Sequence, residues 1–175
     1  MNEARTQLFD VAIVGYGPTG ATLANLLAKC DLSVVVIERN EVMYHLPRAV
    51  HFDDETMRIF QTVGVADPLS EKIRVNPGMR FVDCKKSVIL EWPRPQEIGP
   101  QGWHASYRLH QPDLEQLLRA KLSGFTNAVV LNGTEVINIE QHDKNVRLLC
   151  RNISDGHKYS LNAKYLVGCD GANSL

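Results

Sequence analysis

Three glycines, Gly15, Gly17 and Gly20, lie in the stretch GYGPTG, between an almost continuous apolar run and a segment with helical periodicity. This spacing suits a bound pyrophosphate. Gly15 permits a tight turn, Gly17 lets a phosphate approach the backbone, and Gly20 lets the following helix pack close to the preceding strand. Pro18 and Thr19 line the same turn. Free N–H groups and the positive end of the helix dipole would face the anion. About 20 residues further on stands Glu38, where an acid can hold a ribose hydroxyl. A carboxylate there repels a 2′-phosphate, so the pattern points to FAD or NAD rather than NADP.

The elements that must position these residues follow from the hydrophobic pattern. Phe9, Val11, Ala12, Ile13 and Val14 read as a strand buried on both faces, as in a parallel sheet. Leu23, Leu26, Leu27 and Cys30 recur at helical spacing, and SVVVI at 33–37 reads as a second buried strand. The unit is therefore strand, glycine turn, helix, strand, closing on an acid. The fold class is α/β, a Rossmann-like domain, with parallel strands expected near 10–14, 33–37, 128–131 and 165–169 and a helix at 18–30.

Composition bounds the rest. The chain has 175 residues, a net charge of −1 and 44% hydrophobic content, enough for one globular domain with its own core. The near-neutral balance gives no reason to expect nucleic acid or an anionic membrane surface as partner. No apolar stretch is long enough to span a bilayer, and MNEARTQLFD lacks the apolar core of a signal peptide, so the cytoplasm is the expected compartment. Cys30, Cys84, Cys150 and Cys169 show no metal or redox spacing and read as small buried free thiols. The six histidines show no metal spacing either, and no metal is expected.

Further along, residues 40–52 read as a loop. DDETMRIFQTVGV reads as a helix capped by Asp53 and ended by Gly64, with Met57, Phe60 and Val63 on one side. Residues 67–77 look irregular. MRFVDCKKSVILEW at 79–92 reads as an antiparallel hairpin, and the segment 78–104 as an insertion that begins a second layer. A short strand at 104–109 and an amphipathic helix at 111–122 follow. Strands at 135–141, 145–151 and 157–161 form an antiparallel meander, and a strand at 165–169 leads into Asp170–Gly171. A helix start is expected after it, capped by Asn173 or Ser174.

GYGPTG, Glu38, PRA at 47–49, QPDLEQLL at 111–118 and VGCDGANS at 167–174 occur in an order and spacing that resemble the amino-terminal part of the class A flavoprotein aromatic hydroxylases. YHLPRAVHFDDETMRIFQTVGV and YRLHQPDLEQLLRAKL are most similar to the 3-(3-hydroxyphenyl)propionate hydroxylase branch of that family. The resemblance implies that Gly15, Gly17, Pro18, Thr19 and Gly20 cradle the FAD pyrophosphate and that Glu38, with Arg39 beside it, holds the adenosine ribose. It implies that Arg48 lies near the phosphates and the flavin, and that Gln111 touches the cofactor from a helix start. It places a backbone group of Val136 at the adenine, and Asp170 and Gly171 at FAD and NAD(P)H.

The implied activity is hydroxylation of a small phenolic substrate with NADH or NADPH and dioxygen. A homo-oligomer is left open, and no catalytic residue is assigned. The family's segment at the flavin ribityl chain and most of its substrate pocket have no counterpart in these residues. Residues 1–175 would then form the amino-terminal part of an FAD-binding domain, and 78–104 the start of a substrate-domain sheet. The chain alone is expected not to turn over. Two other readings stay open: an NAD-dependent dehydrogenase and a non-catalytic nucleotide-binding segment. The long loop and hairpin after residue 40, in place of further strand–helix repeats, disfavour the dehydrogenase.

Overall fold

The computed structural model describes residues 7–174; residues 1–6, most of the MNEARTQLFD stretch read above, lie outside the described residues, as does Leu175. In chain order the elements of the first half are β1 (Leu8–Val14), α1 (Pro18–Lys29), β2 (Val34–Glu38), β3 (His51–Asp53), α2 (Asp54–Val63), α3 (Ala66–Ser70), β4 (Arg74–Val75), β5 (Gly78–Val82) and β6 (Val88–Pro93). Then come β7 (Ser106–Arg108), α4 (Gln111–Leu122), β8 (Ala128–Asn132), β9 (Thr134–Gln141), β10 (Val146–Asn152), β11 (Lys158–Gly168) and a 3-10 turn at Gly171–Asn173. The chain divides into two compact units, Met1–His45 with Leu118–Leu175, and Leu46–Leu117.

The first unit is built on a six-stranded sheet in the order β8-β2-β1-β11-β10-β9. The four strands β8, β2, β1 and β11 run parallel, and β10 and β9 continue the sheet antiparallel. This is the expected α/β arrangement, with one difference. The expected third meander strand and the expected strand at 165–169 are a single strand, β11, which pairs antiparallel with β10 and parallel with β1. The polar residues Asn162 and Lys164, which look like an interruption in the sequence, are tolerated because strand side chains alternate between faces. Leu161 and Ala163 point into the core, while Lys164 reaches Asp10 at 2.7 Å.

Val34, Val35, Val36 and Ile37 of β2 are fully buried, as a strand covered on both faces requires. One apolar cluster holds Phe9, Ala12, Val35, Ile37, Val136, Leu148, Cys150, Leu161 and Ala163. Burial pushes the Cys150 thiol up to about 12, leaving it inert. Cys30 and Cys84 are exposed, which corrects the expectation of buried thiols; each lies in a polar turn beside its apolar segment rather than within it.

The helix α1 buries a face other than the one its leucines mark. Its fully buried positions are Gly20, Ala21, Ala24, Asn25 and Ala28, whereas Leu23, Leu26 and Leu27 are only half-buried. Small residues face inward because the helix starts directly from the glycine turn and must lie close to the strand it leaves. Asn25 ties α1 to α4, donating to the Ala21 carbonyl at 2.8 Å and to the Leu118 carbonyl at 2.9 Å.

In the second unit β3, β7 and β4 form a small antiparallel sheet. Two segments read as loop and irregular thus contain β3, α3 and β4; these pieces are too short to show periodicity. Asp53 caps α2 as expected, its Oδ1 accepting the Thr56 N–H at 2.9 Å, and hydrogen bonding from the Thr56 side chain and then its N–H holds the Asp53 carboxyl below the usual carboxylate range. Gly64 ends α2 in the left-handed conformation. Phe52 stacks on Tyr107 and meets Phe60 edge-on. The hairpin β5–β6 stands as a separate two-stranded ribbon, with Phe81, Ile89, Leu90 and Trp92 each about half exposed or more.

Candidate dinucleotide site

The first unit brings the glycine turn, Glu38 and the Cys169–Gly171 loop to one edge of the sheet. β1 ends at Val14, its neighbours β2 and β11 end at Glu38 and Gly168, and all three run parallel. Chain order departs in opposite directions on the two sides of β1. The carboxyl edge at such a reversal is where open α/β sheets take ligands.

The three glycines are required for different reasons. Gly15 has φ +101, and a Cβ there would lie 2.3 Å from the Cys169 carbonyl oxygen. A Cβ on Gly20 would lie 2.1 Å from the Gly15 carbonyl oxygen. Both are fixed by the packing of the turn against β11 and α1. At Gly17 the backbone is extended with φ −77, and a Cβ would meet nothing within 4 Å. The protein's own packing therefore does not call for glycine at 17, and its missing side chain leaves open space in front of the turn.

The N–H inventory of the turn is equally directional. Gly15 N–H donates to the Ile37 carbonyl at 2.8 Å, and Tyr16 N–H donates to Glu38 Oε2 at 2.8 Å. Among the described residues the N–H groups of Gly17, Thr19 and Gly20 have no hydrogen-bond partner. Pro18 occupies the first turn of α1, which carries no acidic side chain and no side-chain cap. The helix start thus presents unsatisfied donors and a partial positive charge, with no anion of its own.

Glu38 is half-buried at the end of β2. Its Oε1 accepts from Asn40 N at 2.9 Å and Asn40 Nδ2 at 2.7 Å. A carboxylate offers about four acceptor positions, so these bonds and that from Tyr16 leave room on Oε2 for a hydroxyl donor. Asn40 was not foreseen; a polar residue two positions past a strand end looks like any loop residue. Arg39 is exposed next to it. Gly171 has φ +83, Asp170 Oδ1 accepts from Ser174 Oγ at 2.8 Å, and the expected helix after it is a single 3-10 turn. Val136 is 3% exposed, with its side chain in the core, so any ligand contact falls to its backbone.

In the second unit Gln111 is 4% exposed, and both ends of its amide bond to protein. Its Oε1 accepts the N–H groups of Arg48 at 2.9 Å and Ala49 at 2.7 Å, and its Nε2 donates to the buried Glu115 at 2.7 Å. Gln111 therefore clamps the Pro47–Ala49 loop and sets where Arg48 starts. Glu115, one helical turn on from Gln111, completes the clamp and gave no separate signal in the sequence. The same unit has a recess of about 300 Å³ walled by Ile73, Val75, Ile98, Trp103 and Tyr107. Its polar groups are turned to protein: Trp103 Nε1 donates to Gln61 Oε1, and Tyr107 Oη accepts from His104 N.

A parallel sheet with a glycine turn, a strand-ending acid and open donors at one helix start defines a dinucleotide-binding domain. The particular family follows from comparison with known proteins. Residues 8–175 match the family described as FAD binding domain, and the chain belongs to it. FAD is the cofactor of this domain.

The chain is 41% identical over 168 residues to a probable NADH-specific resorcinol 4-hydroxylase of Rhodococcus jostii, covering 95% of this chain and 31% of the relative. It is 40% identical over 165 residues to a 3-(3-hydroxy-phenyl)propionate/3-hydroxycinnamic acid hydroxylase of Burkholderia vietnamiensis, covering 94% and 30%. The chain thus spans about a third of the length of these relatives. Among solved structures, the flavin-dependent monooxygenase PieE in complex with FAD and substrate superposes with a TM-score of 0.84 at 24% identity, over 98% of this chain and 31% of that one. p-Nitrophenol 4-monooxygenase PnpA from Pseudomonas putida gives the same TM-score at 24% identity, over 94% and 41%. These structures establish the shared fold.

Proposed function

We propose that these residues form the FAD-holding part of a monooxygenase that hydroxylates a small phenolic substrate, such as 3-(3-hydroxyphenyl)propionate, with NADH or NADPH and dioxygen. The relatives named as resorcinol and hydroxyphenylpropionate hydroxylases support the reaction class. When bound, FAD supplies the redox chemistry; this chain supplies grip and orientation. Gly17, Thr19 and Gly20 offer their N–H groups to the pyrophosphate, Pro18 presets the first turn, and Glu38 takes a ribose hydroxyl beside Arg39. The Val136 backbone, Asp170 and Gly171 complete the first unit's contribution. In the second unit Arg48, held through its backbone by Gln111, keeps the cofactor role that the resemblance gives it. The ribbon formed by 78–93, within the segment 78–104, is proposed to join a substrate-domain sheet, which its exposed apolar side chains favour. A reaction drawing on NADH or NADPH suits the cytoplasm.

The observation that carries the binding reading is Gly17, a glycine that the fold does not need. The test is Gly17→Ala. Helix-cap preferences limit its cost to stability to about 1 kcal/mol, while the added methyl occupies the space left for a phosphate. The expected result is an unchanged fold by circular dichroism with FAD affinity reduced at least tenfold in a flavin-fluorescence titration, a loss of about 1.4 kcal/mol. Equal affinity in the variant would move the pyrophosphate away from this turn. For the reaction, FAD, NADH or NADPH and the phenol are supplied to the chain joined to the remaining length that its relatives carry, and the catechol-type product is followed by chromatography.

A further inference from the structure

One cation, from a distant helix, lies against the glycine turn. Arg119, on α4, places Nη2 2.6 Å from the Tyr16 carbonyl oxygen and lays its guanidinium over the Tyr16 ring, 4.0 Å from the ring centre. Tyr16 is 3% exposed. Its N–H is taken by Glu38 at 2.8 Å, so both peptide groups flanking Tyr16 are held by charged side chains. The backbone that delivers Arg119 is itself fixed, because Asn25 of α1 hydrogen-bonds the carbonyl of Leu118.

The Tyr16–Gly17 peptide is trans, so its C=O and N–H point in opposite directions. Holding the oxygen on the Arg119 side aims the Gly17 N–H the other way. We propose that Arg119 is a positioning residue of the pyrophosphate site: it fixes the Tyr16 carbonyl and thereby presents the Gly17 N–H, at the open start of α1, to the phosphates. This rests on the reading of the glycine turn as the FAD pyrophosphate site. An arginine suits the task because its planar guanidinium can lie over an aromatic ring while donating in its own plane, which a lysine cannot do.

The test compares Arg119→Met, Arg119→Lys and Tyr16→Phe with wild type in the protein that carries the full domain. Methionine keeps the cover over the ring and removes the donor. FAD affinity is measured by flavin fluorescence at a temperature where all variants are folded, and the melting temperature is recorded without FAD. Arg119→Met is expected to weaken FAD about tenfold, the size of one charge-assisted hydrogen bond. Arg119→Lys recovers part of that loss, and Tyr16→Phe binds as wild type. The loss in Arg119→Met persists from about 0.1 M to about 1 M salt, where the screening length falls from ~10 to ~3 Å. A loss that disappears at high salt makes Arg119 a distant charge and overturns the proposal. So does an unchanged affinity with a lowered melting temperature, which makes it a structural prop. Gly17→Ala separates the two ideas: if it weakens FAD and Arg119→Met does not, only the role of Arg119 falls; if it leaves FAD untouched, the reading of the turn falls with it.

Discussion

The Glu38 carboxylate accepts the backbone N–H of Tyr16 at 2.8 Å, joining the end of β2 to the middle of the glycine turn. The carboxylate thus shapes the turn through Oε2 while keeping acceptor capacity for a further hydroxyl donor. Glu38→Ala is expected to weaken FAD by about 1.5–3 kcal/mol, the range for a hydrogen bond to a charged group. Fluorescence titration reads the loss. ADP should compete with FAD, whereas ADP carrying a 2′-phosphate should not, because the carboxylate repels it.

Gly15→Ala and Gly20→Ala should fail in a different way from Gly17→Ala. The added methyls would lie 2.3 Å and 2.1 Å from carbonyl oxygens, and backbone cannot yield cheaply. Each is expected to destabilise the fold by about 3 kcal/mol, the upper part of the range for overpacking. Thermal melts without FAD should show a much larger loss in these two than in Gly17→Ala, whose cost stays within about 1 kcal/mol.

Gln111 holds the loop that carries Arg48 through two backbone hydrogen bonds. Gln111→Ala removes both and leaves the buried Glu115 without one of its donors. The cost is expected to be about 2 kcal/mol. Limited trypsin digestion gives a local readout: cleavage after Arg48 should accelerate well before global unfolding, and Gln111→Glu, which keeps an acceptor but loses the donor to Glu115, should not protect fully.

Asp10 gives the acid limb of the stability curve. A hydrogen bond from Lys164, with others from the Ser33 hydroxyl and N–H, holds its carboxyl well below the usual carboxylate range. A carboxyl depressed in the folded state contributes its stabilisation above its unfolded value, near 4, and loses it as pH falls through that value and below. The partner Lys164 is raised, so its share persists until pH climbs past the usual lysine range. Asp10→Asn should therefore lower the melting temperature at neutral pH and flatten its decline between about pH 4 and 2. Melts across that interval check the sign.

The glycine turn, its flanking strands, Glu38, the Asp53 cap and the four parallel strands were legible because each is a local pattern: a period, a cap or a fixed spacing. Arg119 was not, since it meets Tyr16 across 103 positions and sits in a helix whose pattern advertises only its leucines. The buried face of α1 was hidden for a related reason. Periodicity finds large apolar residues, whereas close packing beneath a glycine turn selects alanines. Gln111 was singled out by its place at a helix start, but its partners are backbone N–H groups, which no residue type reveals. The continuity of β11 was hidden by Asn162 and Lys164, whose alternation only makes sense once both neighbours of the strand are known.

The placement of β11 beside β1 has a consequence for how the chain is made. The contact between Lys164 and Asp10 spans 154 positions, and the whole parallel pairing of these strands is of that kind. On the ribosome β1 emerges early and can dock on β2, yet its other edge waits until β11, residues 158–168, has been synthesised. At about 5–20 residues per second this leaves a strand edge and its apolar faces unpaired for roughly ten seconds or more. Long-range parallel pairing is also slow once the partner arrives. The yield of such a chain in a cell should respond to translation speed and temperature more than its final stability would suggest.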